Sequence, residues 1–303
     1  MRSLKLRITL FILLQTISLA AAGAASVPDK IVEEVVKQKA IYDSRGAERP
    51  DGYVIDRSLT SYADLLPAEF HKQLSTLGPQ DRWLDIGAGE GRAVLDYATA
   101  KSDVQPASLT ERARARTTAI SIEDRRTARW HEASASLAPK QIEYLFGRTF
   151  SEYSAEELGQ FQIITDVIGA FSYTQSITRF MDKALGTLAL NGSLFTVLQD
   201  VGWEAGTNKP HYPNAPFLTE IRKADGSDMK ICQWLKSIGC VQVTCEAKTG
   251  FVPPIEVYHV RKVCDKVTIP DLALEHFEAG TPPERRFVMK GAANPVIKTG
   301  EVR

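Results

Sequence analysis

The clearest chemical signal in the chain is the run Asp85-Ile86-Gly87-Ala88-Gly89-Glu90-Gly91. A short apolar stretch, Trp83-Leu84-Asp85-Ile86, leads into three glycines at alternate positions, and Arg92 to Ala100 then follows with helical spacing. Glycine lets the backbone turn sharply and approach a ligand with no side chain between them. A helix start adds N–H groups that lack an intrahelical partner. Strand, glycine loop and helix in that order hold a nucleoside cofactor against the carboxyl end of a parallel sheet. A dinucleotide pyrophosphate asks for the wider G-x-G-x-x-G. The G-x-G-x-G found here, with an aspartate two positions before its first glycine, argues against a nicotinamide-dependent oxidoreductase.

Such a loop needs a sheet behind it, and the hydrophobic pattern predicts one. Strands are expected at Trp83–Ile86, Thr118–Ile122, Ile142–Phe146, Phe161–Val167 and Leu194–Leu198, with helices at Arg92–Ala100 and Ile177–Leu188. Phe161–Val167 is apolar nearly throughout, as a strand covered on both faces is. A helix over Asp228–Ile238 and strands at Val241–Glu246 and Ile255–Val263 close the series. The loop between those last two strands is too short for a crossover helix, so they should run antiparallel. The pattern predicts an α/β fold: a doubly wound, seven-stranded, mostly parallel sheet with a reversed C-terminal strand, preceded by N-terminal helices. Those helices are expected at Val27–Asp43 and from Asp64 to Leu77, with Pro67 in the first turn of the second. The tail after Asp265 shows weak helical spacing at Leu272–Phe277 and then reads as a loose polar end.

The loop resembles the cofactor loop of class I S-adenosylmethionine-dependent methyltransferases, and the resemblance covers roughly residues 80 to 265. It implies S-adenosyl-L-methionine as cofactor. Its methionine part would lie beside the backbone of Gly87, Ala88, Gly89 and Gly91, and Asp85 would help orient its ammonium group. Glu123, at the end of the second strand, would bind the ribose hydroxyls. It lies 32 residues after Gly91, where about 20 is usual for such a unit, so an insertion is expected within residues 101–117. Where the family often has an acidic residue near the adenine, this chain has Gly147-Arg148-Thr149. The resemblance also sets Asp166 and Tyr173, after the fourth strand, beside the transferable methyl group. Asp166 could bind cofactor or acceptor or take a proton; Tyr173 could shape the pocket or donate its hydroxyl. The loop from Val201 to Leu218, with Trp203, His211, Tyr212 and Phe217, reads as a substrate loop in which His211 is the candidate base. The helices between Gly52 and Leu77 read as a lid, with Tyr53 and Tyr62 as contacts.

The acceptor is not legible, although a small molecule is favoured. No Asn-Pro-Pro-Tyr or Asp-Pro-Pro-Tyr follows the fourth strand, which argues against methylation of a base's amino group. Nucleic acid is disfavoured too, because 37 basic residues balance 37 acidic ones. The arginines at 112, 114, 116, 125, 126 and 129 form a cluster that Glu111, Glu123 and Asp124 interrupt, and a solvated helix face is its expected form. A non-catalytic domain that binds S-adenosylmethionine is the main alternative. Cys232, Cys240, Cys245 and Cys264 lack zinc-site spacing. A hairpin turn near Val252 would set Cys240 opposite Cys264 for a disulfide.

Residues 1–25 have the order of a secretory signal peptide: Arg2, Lys5 and Arg7, then an apolar run, then small residues from Ala20 to Ala25. An uncleaved membrane anchor is the alternative, and it would be the chain's sole membrane contact. The expected organisation is a signal over 1–25, a helical extension over 26–79, a methyltransferase domain over 80–268 and a tail over 269–303. Export sits awkwardly with a cofactor kept in the cytosol. That leaves a cytoplasm-facing anchored domain, delivery into another cell, or a domain that no longer catalyses.

Overall fold

A computed structural model describes residues 57–99, 114–198, 200–201, 217–248, 255–278 and 284–290. The N-terminal sequence, Tyr53, Trp203, His211 and Tyr212 lie outside the described residues. The described chain opens with helices α1 (Leu59–Leu65) and α2 (Ala68–Thr76). Strand β1 (Arg82–Ile86), helix α3 (Arg92–Thr99) and strand β2 (Arg116–Ile120) follow. Next come α4 (Ala128–Ser134), β3 (Ile142–Leu145), α5 (Ala155–Leu158), β4 (Phe161–Val167), α6 (Ala170–Tyr173), α7 (Ile177–Thr187) and β5 (Leu188–Leu198). The remainder is β6 (Asp200–Val201), β7 (Phe217–Arg222), β8 (Asp228–Met229), α8 (Ile231–Lys236), β9 (Val241–Lys248), β10 (Ile255–Lys262), β11 (Leu272–Glu278) and β12 (Glu284–Met289).

Seven strands form the main sheet in the order β3-β2-β1-β4-β5-β10-β9, and only β10 runs against the others. Alternate residues serve opposite faces. Leu84, Ile86, Ile120, Ile164 and Leu194 face a core completed by Phe171 and Phe180 beside α6 and α7, and by Trp234 of α8. Trp83, Ala119, Ile163 and Phe195 face the other core, with Tyr62, Phe70, Val94 and Tyr97 from α1, α2 and α3.

Three expectations need correction. The helix expected from Asp64 to Leu77 is two helices, because the ring of Pro67 forces Leu66 into extended backbone (φ −85°, ψ 160°). The helix expected from Asp228 is shorter, since Asp228–Met229 pairs with β7 instead. Among the described residues of the tail, Leu272–Phe277 is not helical and Glu284–Met289 is a strand where a loose end was expected. Leu272–Glu278 is a strand of a second, five-stranded sheet in which β7 pairs parallel with β12 and β12 antiparallel with β11. Phe287 of β12 and Ile221 of β7 are buried in the first core, so long-range pairing overrode a weak local helical pattern.

Candidate functional site

The crevice of an open α/β sheet lies at the carboxyl ends of its strands, where the order reverses. Here that point falls between β1 and β4. Gly87, Gly89 and Gly91 all take left-handed backbone, with φ of 69°, 58° and 73°. A Cβ on Gly87 would lie 2.7 Å from the Cα of Gly169, and one on Gly91 would lie 2.7 Å from Cζ3 of Trp130. The turn therefore needs glycine for its conformation and for its contacts. The amide of Ala88 donates to the Ile120 carbonyl at 3.0 Å and ties the loop to the end of β2.

A strand order of 3-2-1-4-5-7-6, counted along the chain within the main sheet, with the seventh strand reversed, decides the architecture. The chain has the Rossmann-like methyltransferase fold. Similar solved structures include an rRNA methylase from Streptococcus thermophilus, 10% identical over 65% of this chain and 95% of that one, with a TM-score of 0.40. N-methyltransferase NodS from Bradyrhizobium japonicum is 14% identical over 75% and 98%, with a TM-score of 0.38. Geranyl diphosphate C-methyltransferase from Streptomyces coelicolor is 13% identical over 46% of this chain at a TM-score of 0.34, and the match spans 47% of that enzyme's length. No family model and no curated protein matches the chain.

Asp85 is fully buried. Both of its carboxylate oxygens accept from the Tyr62 hydroxyl at 2.9 Å, and Oδ1 also accepts from the Thr165 hydroxyl at 2.7 Å. Trp83 Nε1 donates to that same threonine oxygen at 2.8 Å. Burial and the Asp85 charge raise the Tyr62 hydroxyl well above the ordinary tyrosine value, so it remains a donor. Helix α1 thus acts on the carboxylate of β1 through Tyr62, which sequence reasoning had cast only as a lid contact. Solvent does not reach Asp85 in this arrangement.

The loops after β2 and β3 meet at Tyr144. Its hydroxyl lies 2.5 Å from the Gly89 carbonyl and 3.4 Å from the Glu123 carbonyl, and the Arg125 amide donates to it at 3.4 Å. Its ring packs edge-on against Trp130 at 5.2 Å. Tyr144 thereby brings Glu123, whose side chain is exposed, beside the glycine loop. Two residues further on, Phe146 is 45% exposed, with the Arg126 guanidinium 5.1 Å above its ring. The sequence lacks the acidic residue that the family often has at this strand end, and the structure offers an exposed aromatic face there. The arginine cluster does not form one helix face: Arg116 starts β2, whereas Arg125 and Arg126 follow the strand's other end.

Asp166, at the end of β4, is fully buried as well. It accepts from the Phe171 amide at 3.3 Å and from the Thr196 hydroxyl at 3.0 Å. Burial lifts its carboxyl to about 7 against those two hydrogen bonds, and the nearby Asp85 charge adds to the rise. The turn it supports is tight. Ile168 holds φ 54°, rare for a β-branched residue, and a Cβ on Gly169 would lie 2.6 Å from both Asp166 Oδ1 and the Ile86 carbonyl. Strain of this kind is stored where the surroundings over-determine it.

Helix α6, with the half-buried Tyr173, is held from below by Asp166 and from beyond by the second sheet. Arg285 of β12 donates from Nη1 to the carbonyls of Phe171 and Thr174, each at 2.8 Å, and from Nε to Thr219 at 2.7 Å. The structure therefore gathers Asp85, Gly87, Ala88, Gly89, Gly91, Glu123, Asp166 and Tyr173 at one end of the sheet. Gly169 and Tyr144 were missed, although Ile168-Gly169-Ala170 directly after a buried strand was a usable signal.

The cysteines pair as Cys240–Cys264 and Cys232–Cys245. The first is the expected pair, although the hairpin register is one residue off the expected one, with Lys262 opposite Val241 and the Val263 amide donating to the Cys240 carbonyl at 2.9 Å. The second joins α8 to β9.

Proposed function

We propose that this chain is an S-adenosyl-L-methionine-dependent methyltransferase acting on a small-molecule acceptor. The observation that carries the reading is the loop of three left-handed glycines at the point where the sheet order reverses. The residues fit the cofactor along its length. Gly87 is exposed at the end of β1 beside the expected place of the amino acid part, Glu123 is exposed after β2 towards the ribose, and Phe146 offers an exposed ring at the end of β3 for the base. The bound cofactor supplies a methyl group already activated on its sulfonium, so the protein's contribution is chiefly alignment.

On this reading Asp85 and Asp166 are positioning residues, because each is buried and committed to hydrogen bonds within the protein. Asp85 braces the glycine loop from behind through β1, and Asp166 fixes the entry to α6. Tyr173, half-buried at the end of α6, is the candidate to meet the acceptor. A small acceptor is favoured by the balanced charge and by the missing Pro-Pro-Tyr signature. Two disulfides support a working place that is oxidising, in line with the signal-like N-terminus.

The test is titration calorimetry of the full chain with S-adenosylmethionine, S-adenosylhomocysteine and NAD. Binding of both sulfur nucleosides, lost in Gly89→Arg and absent for NAD, is the expected result. Folded protein that binds neither sulfur nucleoside would refute the proposal.

A further inference from the structure

We infer that the opposite end of the main sheet, at the amino ends of β1, β2 and β3, carries a second binding site, for a small phosphate ester. A groove of about 450 Å³ opens there, lined by Arg82, Arg116, Thr117, Thr118, Lys140 and Glu143, with Ile142 between the last two. That volume lies within the ordinary range for small-molecule sites.

The charges in the groove are arranged at a cost to the fold. β1 and β2 pair in parallel register with Arg82 directly opposite Arg116, and like charges facing across a ladder are destabilising. Contacts on the β4 side hold Arg82. Its Nη1 donates to the Leu158 carbonyl at 2.6 Å, and its guanidinium stacks 4.2 Å above the Phe161 ring. Burial first, and then the Arg116 charge, lower its affinity for its proton, with Glu143 acting the other way. Lys140, the residue two before β3, brings a third cation to the groove from left-handed backbone at φ 63°, a conformation that a non-glycine residue rarely adopts. None of these three cations forms an ion pair with a carboxylate among the described residues.

An anion between Arg82 and Arg116 would turn their repulsion into attraction. Two guanidiniums and an ammonium suit a phosphate, whose oxygens accept paired N–H donors. Glu143, exposed in the same lining, supplies an acceptor for a hydroxyl on the rest of the ligand. One carboxylate in the lining argues for a small ester over a continuous polyanion. The five residues of β2 separate this groove from the loops after that strand by about 13 Å at the usual rise per residue, so its ligand does not compete with one at the glycine loop.

The test is calorimetry and thermal shift of the full chain with glycerol phosphate and inorganic phosphate, against sodium chloride of equal ionic strength. We expect saturable binding of the ester, weaker binding of inorganic phosphate, and at least a tenfold loss of ester affinity in Arg116→Gln, whose side chain is exposed. Glu143→Gln is the second variant, and it should tighten inorganic phosphate by a few-fold because a neighbouring negative charge is gone. No saturable binding, or affinities that neither substitution moves, would overturn the inference. So would a single-stranded oligonucleotide that displaces the ester and binds more tightly, since that assigns the groove to a nucleic-acid backbone.

Discussion

Asp166→Asn should flatten the dependence of stability on pH. In the folded protein the Asp166 carboxyl titrates at about 7, against an ordinary aspartate value of 3.8. Between those two values the folded state keeps a proton that the unfolded chain gives up. Stability must then fall as pH rises, by about 1.4 kcal/mol per pH unit from this group alone. Across the whole window the loss is at most about 4 kcal/mol, complete once pH passes 7 and absent below 3.8. Asparagine keeps the shape and cannot ionise. Its Oδ1 can accept from the Phe171 amide, and its Nδ2 can donate to the Thr196 oxygen once that hydroxyl rotates. Relative to the variant, wild type should already have lost about 1.6 kcal/mol by pH 5 and should lose about 3 kcal/mol more by pH 8, nearly all of it before pH 7. Urea unfolding at pH 5, 6, 7 and 8 measures the difference. A difference between the two proteins that is constant across those four values would refute the reasoning, because it would mean that Asp166 is ionised throughout or equally protonated in both states.

Three further outcomes follow from the geometry. Gly91→Ala sets a Cβ 2.7 Å from Trp130 on backbone at φ 73°, so it should cost about 1–3 kcal/mol in urea unfolding and weaken nucleoside binding; wild-type stability would count against the loop's tight packing. Tyr62→Phe removes the hydroxyl that donates to both oxygens of Asp85, and leaving a buried carboxylate short of a donor should cost about 1–3 kcal/mol, read as a lower melting temperature. Reducing both disulfides, which close separations of 13 and 24 residues, should destabilise the protein by about 2–5 kcal/mol for each bond lost, and an unchanged melting temperature with and without reductant would show that the pairs contribute nothing.

What could be read in advance divides by the range of the interaction that carries it. The glycine loop was legible because its cause is local: alternate glycines between a strand and a helix impose one kind of turn. The centre of the main sheet was legible for the same reason, since β1, β4 and the second half of β5 are buried apolar runs, whereas β2, β3 and β9 are not. Pro67 was read as a permitted first-turn residue, while its effect on the residue before it was the one that mattered. The second sheet could not be read, because β7 and β12 lie more than 60 residues apart and only their pairing makes Glu284–Met289 a strand. Arg285 had no local mark for that reason. Tyr144 and Phe146 carry the site through where their strand ends, which composition does not record. The Cys232–Cys245 bond escaped because it joins a helix to a strand, and hairpin register says nothing about that pair.

The two disulfides interleave along the chain, Cys240 lying between Cys232 and Cys245, and Cys245 lying between Cys240 and Cys264. A protease that cuts one peptide bond anywhere between Cys232 and Cys264 therefore severs the backbone without parting the molecule. Even one cut before Cys240 combined with another after Cys245 leaves the excised piece bonded to both flanks. The edge of the sheet formed by β9 and β10 is thus held by covalent redundancy, and a nicked molecule would run as one species on a gel until a thiol was added.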